Sequence, residues 1–288
     1  MAGAGHEPSS TGARPEGTGA PLHGEELTRR LARFPDWMYE IELGEGVRTP
    51  VSNRTLVNRQ RERRRYFFDA LLRLTGGSLA GRRVLDLGCG AGYWSLAAVE
   101  AGAELVLGID AKPNYIEQAR LVFEAKGVEQ RRFDFEVANA VDAAPGRFDV
   151  VLCLGLLSFV TRPLDLFAAI ARAEPQLVVI DTELSRERLA VLELARPYRA
   201  SDHVEHPFLM VPSAAAVAEM SAHFGLHCVA LAPDIADWTG MGDYRRKRRL
   251  AFICSREEIP PGVLATEPAH RLLPWWLRDP RALLEARL

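Results

Sequence analysis

Residues 84–94 read VLDLGCGAGYW, and the reading of the fold starts here. An apolar run, Val84, Leu85 and Leu87, carries one acid, Asp86, and then breaks into Gly88, Gly90 and Gly92. A strand that stops at a glycine turn ahead of a helix opens a nucleotide site, because the turn brings backbone amides close to a ligand at a helix N-terminus. The dinucleotide fingerprint G-x-G-x-x-G places its third glycine where this chain has Tyr93. The spacing here is G-x-G-x-G, so the turn predicts a nucleotide-type ligand without naming it.

Outward from the turn the sequence alternates. Strands are predicted at 83–87, 104–109, 133–138, 148–154 and 176–181, with helices at 92–101, 113–126 and 163–172. Such alternation gives a parallel, doubly wound α/β sheet. The near-continuous apolar strands VVLCL and LVVID suit burial on both faces. After Asp181 the pattern changes: 183–212 is rich in charge and His, 213–224 is a predicted helix, and 226–231 and 249–254 are predicted strands able to pair antiparallel at the sheet edge. Upstream, 25–34 has helical spacing, 36–50 mixes an alternating centre with a Gly-x-Gly break, and 55–74 is a predicted helix capped by Ser52 or Asn53.

The bulk numbers bound the rest. The chain has 288 residues, 48% of them apolar, so a full core forms easily. A net charge of −2 gives no global attraction to nucleic acid or membrane. The longest apolar run, 150–160, falls short of the ~20 residues a membrane span needs. Cys89, Cys153, Cys228 and Cys254 lie far apart with no zinc-ligand spacing, which reads as reduced, mostly buried thiols in a cytoplasmic protein, with no metal. The expected organisation is a disordered tail (1–23, with no signal-peptide core), a helical cap extension (24–75), a nucleotide-binding domain (76–256) and a C-terminal extension (257–288).

Two further residues bear on the ligand. Asp110 ends the second strand (LGID), where an acid accepts hydrogen bonds from ribose hydroxyls of any adenosine cofactor. Asn139 follows the third strand, and Phe148-Asp149-Val150-Val151 opens the fourth. In order and spacing these motifs resemble the class I S-adenosylmethionine-dependent methyltransferases over roughly residues 55–256. The resemblance implies a seven-stranded Rossmann-like sheet whose last strand is antiparallel. It also implies a polar contact from Asn139 to the adenine amino group. On this reading S-adenosylmethionine is the cofactor, and its expected contacts are Asp86, Gly88, Cys89, Gly90, Asp110, Ala111, Asn139, Ala140 and Leu154.

A finer resemblance, carried by WMYEIELGEGVRTP, GLLSFVTRP, VIDTELS and MVPSAAAV together with the glycine turn, is to the tRNA wobble-uridine carboxymethyltransferase family and its methyltransferase relatives. Members show a Tyr-His pair where this chain has Ser158-Phe159, and a lysine upstream of the turn where this chain has none before Lys112. Those groups serve the extra carboxylate of carboxy-S-adenosylmethionine, so their loss implies the ordinary cofactor.

Methyl transfer to a hydroxyl also needs a base near the strand ends. The candidates are Asp181 (with Glu183 beside it), His203 and His206; Asp202, His203, Glu205 and His206 would also suit a divalent ion. Trp37 and Tyr39 are expected either to close over the cofactor or to pack simply. The basic run at 59–65 is read as the solvated face of an amphipathic helix whose stripe is Leu56, Arg63, Phe67, Ala70, Leu71 and Leu74, with an anionic partner as the alternative. In YRRKRR, Arg245 or Arg246 is expected to reach the site. The function expected is O-methylation of a small-molecule acceptor. A tRNA-modifying enzyme, a non-catalytic cofactor-binding module and a nicotinamide oxidoreductase follow behind. These residues set neither the acceptor nor the oligomeric state.

Overall fold

The computed structural model describes residues 23–196 and 208–267. The tail at 1–22, His203 and His206 with their acidic neighbours, and residues 268–288 of the C-terminal extension lie outside the described residues.

The chain opens with α1 (Gly24–Leu31), which buries Leu27 and Leu31. A small hairpin, β1 (Glu42–Gly44) and β2 (Val47–Arg48), turns at the Gly-x-Gly break. Next comes α2 (Arg54–Arg63), capped by the Asn53 side chain, which accepts from Thr55 N at 2.9 Å. A π-helical turn, Arg64–Phe68, joins it to α3 (Asp69–Leu74), so the single helix expected at 55–74 widens in the middle.

The alternating part follows as β3 (Arg83–Leu87), α4 (Tyr93–Glu100), β4 (Leu105–Asp110), α5 (Pro113–Ala125), β5 (Phe133–Val137), β6 (Val150–Leu154), α6 (Pro163–Arg172) and β7 (Leu177–Glu183). These elements lie within one or two residues of the sequence expectation. A second hairpin, β8 (Leu192–Ala195) with β9 (Leu209–Pro212), occupies the stretch after β7 that sequence patterning left without structure. The chain continues through α7 (Ala214–His223), β10 (His227–Ala230), a short α8 (Gly242–Arg245) and β11 (Arg249–Ser255).

Seven strands form one sheet in the order β10-β11-β7-β6-β3-β4-β5. The five strands from β7 to β5 run parallel, and β11 is antiparallel to both β7 and β10. Strand alternation sends Val84, Val106 and Leu152 to one core with Trp94, Ile116 and Phe123 of α4 and α5. It sends Leu85, Leu107 and Val151 to the other core, with Phe167, Ile170 and Val217 of α6 and α7. Burial of both strand faces is what the continuous apolar runs require. Leu27, Trp37, Tyr39 and Phe67 join the α4/α5 core, so the N-terminal elements cover that face of the sheet.

The expected amphipathic helix forms, with Arg63, Phe67, Ala70 and Leu71 buried and Arg61 and Arg65 exposed, but the buried side of α2 itself is polar rather than apolar. Asn58, Gln60, Glu62 and Arg63 are buried, while Leu56 is 37% exposed. Asn58, Gln60 and Glu62 each find partners, as burial demands. Asn58 Nδ2 donates to the carbonyls of Asp237 (3.1 Å) and Thr239 (2.7 Å). Gln60 exchanges two bonds with the Glu40 backbone (2.9 and 2.7 Å), and Glu62 Oε2 accepts from Ala236 N (2.8 Å). The helix is a polar spine that ties the segment at 39–40 and the loop at 236–240 to the sheet.

Packing leaves no room beside Gly108 of β4, where a Cβ would lie 2.6 Å from two Phe135 ring atoms and 3.0 Å from Cys89 Sγ. Gly108→Ala is expected to destabilise the fold by about 1–3 kcal/mol, the usual cost of overpacking. Phe135→Leu in the same chain should recover part of that loss in a urea-unfolding double-mutant cycle. Additive effects would mean that the two side chains do not compete for the space.

Candidate cofactor and acceptor site

The glycine turn is pinned from below. Gly88 N and Cys89 N both donate to the Ile109 carbonyl (2.8 and 3.1 Å), which fixes the exit of β3 against the end of β4. Asp110 then bridges two loops: one carboxylate oxygen accepts from Gly90 N (3.0 Å) and the other from Lys112 N (2.9 Å). Gly92 caps α4 in a left-handed conformation (φ 78°), and a Cβ there would lie 3.0 Å from Ala119 Cβ. It therefore allows α4 to approach α5 closely, whereas the later glycine of the dinucleotide fingerprint serves helix–strand packing.

Beyond the turn lies a cavity of about 500 Å³, at the C-terminal ends of β3, β4 and β6. Gly88, Cys89, Gly90, Asp110, Ala111, Asn139, Ala140 and Leu154 all line it. Asp86 does not. It is buried beneath the turn, accepts from Ser95 Oγ at 2.6 Å, and its carboxyl is pushed up to about 7 by burial. Asn139 Oδ1 also accepts from Val141 N (3.2 Å), which fixes the orientation of the amide.

Of the two aromatics expected over the cofactor, only Tyr39 lines the cavity. It stacks on Tyr93 (4.8 Å between centroids), and its hydroxyl accepts from Arg63 (3.1 Å) and Trp94 Nε1 (3.2 Å). Trp37 is buried edge-on against Phe34. Of the Ser158-Phe159 pair, Phe159 lines the cavity and Ser158 is buried, its Oγ without a partner among the described residues.

Asp181, a candidate base, occupies a place unsuited to that role. It is fully buried, and one oxygen accepts from Arg63 (2.7 Å) and twice from Arg249 (3.0 and 2.8 Å), while the other accepts from Tyr244 Oη (2.8 Å). Burial alone would raise its carboxyl, but Arg249 and Arg63 outweigh that and hold it at about 2. A carboxylate that acidic and that occupied is a poor proton acceptor. Arg245 and Arg246 are exposed; Arg249, three positions beyond Arg246, is the arginine of that cluster that turns inward. Among the described residues no cluster of His, Cys, Asp and Glu is arranged to hold a metal ion.

The buried set Arg63, Tyr244 and Arg249 was not singled out by sequence as a unit, although Arg63 falls on the apolar stripe of its helix. A charge on a buried stripe signals a partner in the core.

The Asp86 carboxyl sits at about 7 in the fold, against 3.8 ordinarily, so the folded state favours its protonated form. Its stabilising contribution is full below about pH 4 and is lost as pH rises through about 7. Asp86→Asn should flatten the dependence of the urea midpoint on pH across that window; an unchanged slope would exclude Asp86 as the titrating group. Asp181→Asn leaves two buried guanidiniums without a counter-charge and should cost about 3–5 kcal/mol in the same assay at neutral pH.

The family model described as a methyltransferase domain matches residues 59–231. A ubiquinone biosynthesis O-methyltransferase of Thiobacillus denitrificans is 41% identical over 101 residues, which are 34% of this chain and 42% of that protein. Its counterpart in Methylococcus capsulatus is 35% identical over 116 residues, 40% of this chain and 48% of that protein. The chain thus spans less than half the length of these curated relatives. The N-terminal domain of EvdMO1, solved in the presence of SAH and D-fucose, superposes with a TM-score of 0.62 at 20% identity, covering 83% of this chain and 98% of that one. These relatives support the class I level of the resemblance, not the tRNA wobble-uridine branch specifically. With the glycine turn, the Asp110 bridge and the reversed last strand, they identify the chain as a member of the methyltransferase-domain family, class I, whose cofactor is S-adenosylmethionine.

Proposed function

We propose that this chain transfers the methyl group of S-adenosylmethionine to an oxygen of a small molecule. The observation that carries the proposal is the cavity. A space of about 500 Å³ is in the range of small-ligand sites, and its lining suits the cofactor chemically. Asp110 offers a carboxylate for the ribose hydroxyls, the Gly88 to Gly90 backbone permits close approach of the methionine end, and Ala111, Ala140 and Leu154 offer apolar surface to the adenine. Asn139 offers an amide to the adenine edge. That the curated relatives are O-methyltransferases supports oxygen as the accepting atom.

A sulfonium methyl is already electrophilic, so the protein's task is to hold the acceptor in line with the methyl–sulfur bond and to exclude water. Such positioning contributes several kcal/mol, with about 7–11 as the upper range. His203 and His206 remain candidates for a base. The basic clusters do little to support a tRNA substrate, because Arg59, Arg63, Arg65 and Arg249 pair with acids of the chain itself. The four free thiols suit the reducing cytoplasm, and among the described residues no helix is long and apolar enough to cross a membrane.

Incubation with labelled S-adenosylmethionine plus either bulk tRNA or a panel of hydroxylated small molecules tests the reading. Label is expected in the small-molecule fraction. Label in tRNA alone would overturn the acceptor class, and cofactor binding without transfer to any acceptor would leave a binding module. In calorimetry, Asp110→Ala should weaken cofactor binding by about 1–3 kcal/mol, since buried ribose hydroxyls lose their acceptor. Unchanged affinity would put the ribose elsewhere.

A further inference from the structure

Behind the floor of the cavity two guanidiniums, Arg63 and Arg249, share one carboxylate, Asp181. The neighbouring acids hydrogen-bond neither of these two guanidiniums. Asp243 is taken by Arg59 (2.7 and 2.6 Å), and Glu183, 40% exposed, stands 4.0 Å from Arg249 Nη1. Arg249 Nη1 makes no hydrogen bond among the described residues, and Nη2 donates only to Asp181 Oδ2. Arg63 Nε is buried without a partner. Hydrogen-bond donors therefore exceed the acceptors that meet them, although the Arg249 side chain is only 9% exposed. A buried donor without a partner, as Arg63 Nε is, is uncommon in proteins and asks for an explanation.

The way in is past Gly155. This residue lines the cavity in a left-handed conformation (φ 95°), and a Cβ placed on it would lie 3.0 Å from Arg249 Nη2, with no other non-neighbouring heavy atom within 4 Å. A side chain at 155 would press on that nitrogen; glycine leaves its cavity-facing side clear of side-chain atoms. The lining also limits the chemistry. Among the described lining residues the only carboxylate is Asp110, which holds the Gly90 and Lys112 amides. An acceptor that arrives ionised needs no base.

We propose that Arg249, reached past Gly155, holds an anionic oxygen of the methyl acceptor, so that the acceptors are phenols, enols or carboxylic acids bound in their ionised form. This rests on the methyltransferase reading above. The ionised oxygen forms the O–CH3 bond, the CH3–S bond breaks, and its electron pair returns to sulfur. Anion plus sulfonium become a neutral ether or ester and a neutral thioether, and no proton is left to place.

Calorimetry with benzoate and, separately, its neutral counterpart benzyl alcohol tests this, on the protein alone and loaded with S-adenosylhomocysteine. Benzoate is expected to bind roughly tenfold or more tightly than the alcohol, the worth of a charge-assisted hydrogen bond. Arg249→Lys keeps a cation beside Asp181 but loses the fork. It should weaken benzoate roughly tenfold with S-adenosylhomocysteine affinity unchanged. Gly155→Ala, which leaves every charge in place but strains a left-handed backbone, should weaken benzoate as well with S-adenosylhomocysteine affinity retained, and that pairing decides the matter if Arg249→Lys fails to fold. Equal binding of acid and alcohol, or benzoate affinity unmoved in both variants, overturns the proposal. Competition between benzoate and S-adenosylhomocysteine also overturns it, since the guanidinium would then serve the cofactor. A benzoate preference without any S-adenosylhomocysteine binding would uphold the anion subsite and sink the methyltransferase reading instead.

Discussion

One buried carboxylate registers the outer elements of this protein against its sheet. Asp181, at the end of β7, is fully buried and gathers Arg63 from α2 with Arg249 and Tyr244 from the far end of the chain. A lone buried charge is too costly to persist, so each partner must arrive for the others to be tolerated. The consequence reaches the cavity in two steps. Asp181 sets Arg63, and Arg63 donates to the Tyr39 hydroxyl, which stands in the cavity wall. The N-terminal segment is thereby placed by an interaction that originates in the sheet.

The cavity itself follows from topology. Beside β3 the chain winds outward through β4 and β5, then returns to β6 on the other side. Helices cover opposite faces of the two halves, and a crevice opens at the carboxyl ends of the strands where the winding reverses. The turn after β3, Asp110 after β4 and the Leu154-Gly155 exit of β6 all reach this crevice for that reason. Asp86, one position before Leu87 on the same strand, cannot, because it points into the core between β3 and α4 and meets Ser95 instead.

The central sheet was legible because its signals are local. Apolar strands, the glycine turn and proline at the start of α5 each speak for their own few residues. The exits of β3, β4, β5 and β6 were legible too, since a strand end carries its contacts with it. The clamp was not. Arg63 and Asp181 lie 118 positions apart, and a basic run such as RQRERRR looks solvated until its acids are found elsewhere in the chain. Helix α2 shows why: a stripe of Asn58, Gln60, Glu62 and Arg63 has no apolar period to detect, yet it is the buried side. The hairpin of β8 and β9 escaped for a related reason, because its short strand Leu192–Ala195 pairs through the backbone and leaves Leu192 and Leu194 exposed.

The same clamp bears on how the site would handle charge. S-adenosylmethionine carries a sulfonium and an ammonium against one carboxylate, so it enters the cavity as a net cation. Behind Gly155 the chain keeps two guanidiniums on one carboxylate. A cation brought beside these buried guanidiniums is repelled, and an anionic acceptor oxygen relieves that repulsion while accepting from a donor the chain leaves without a hydrogen bond. After transfer that attraction is gone: the acceptor oxygen is neutral, the sulfur is neutral, and the guanidinium is again short of a partner. An arrangement of this kind favours an ionised acceptor before the reaction and releases it after, with the same arginines that hold the fold together setting the difference.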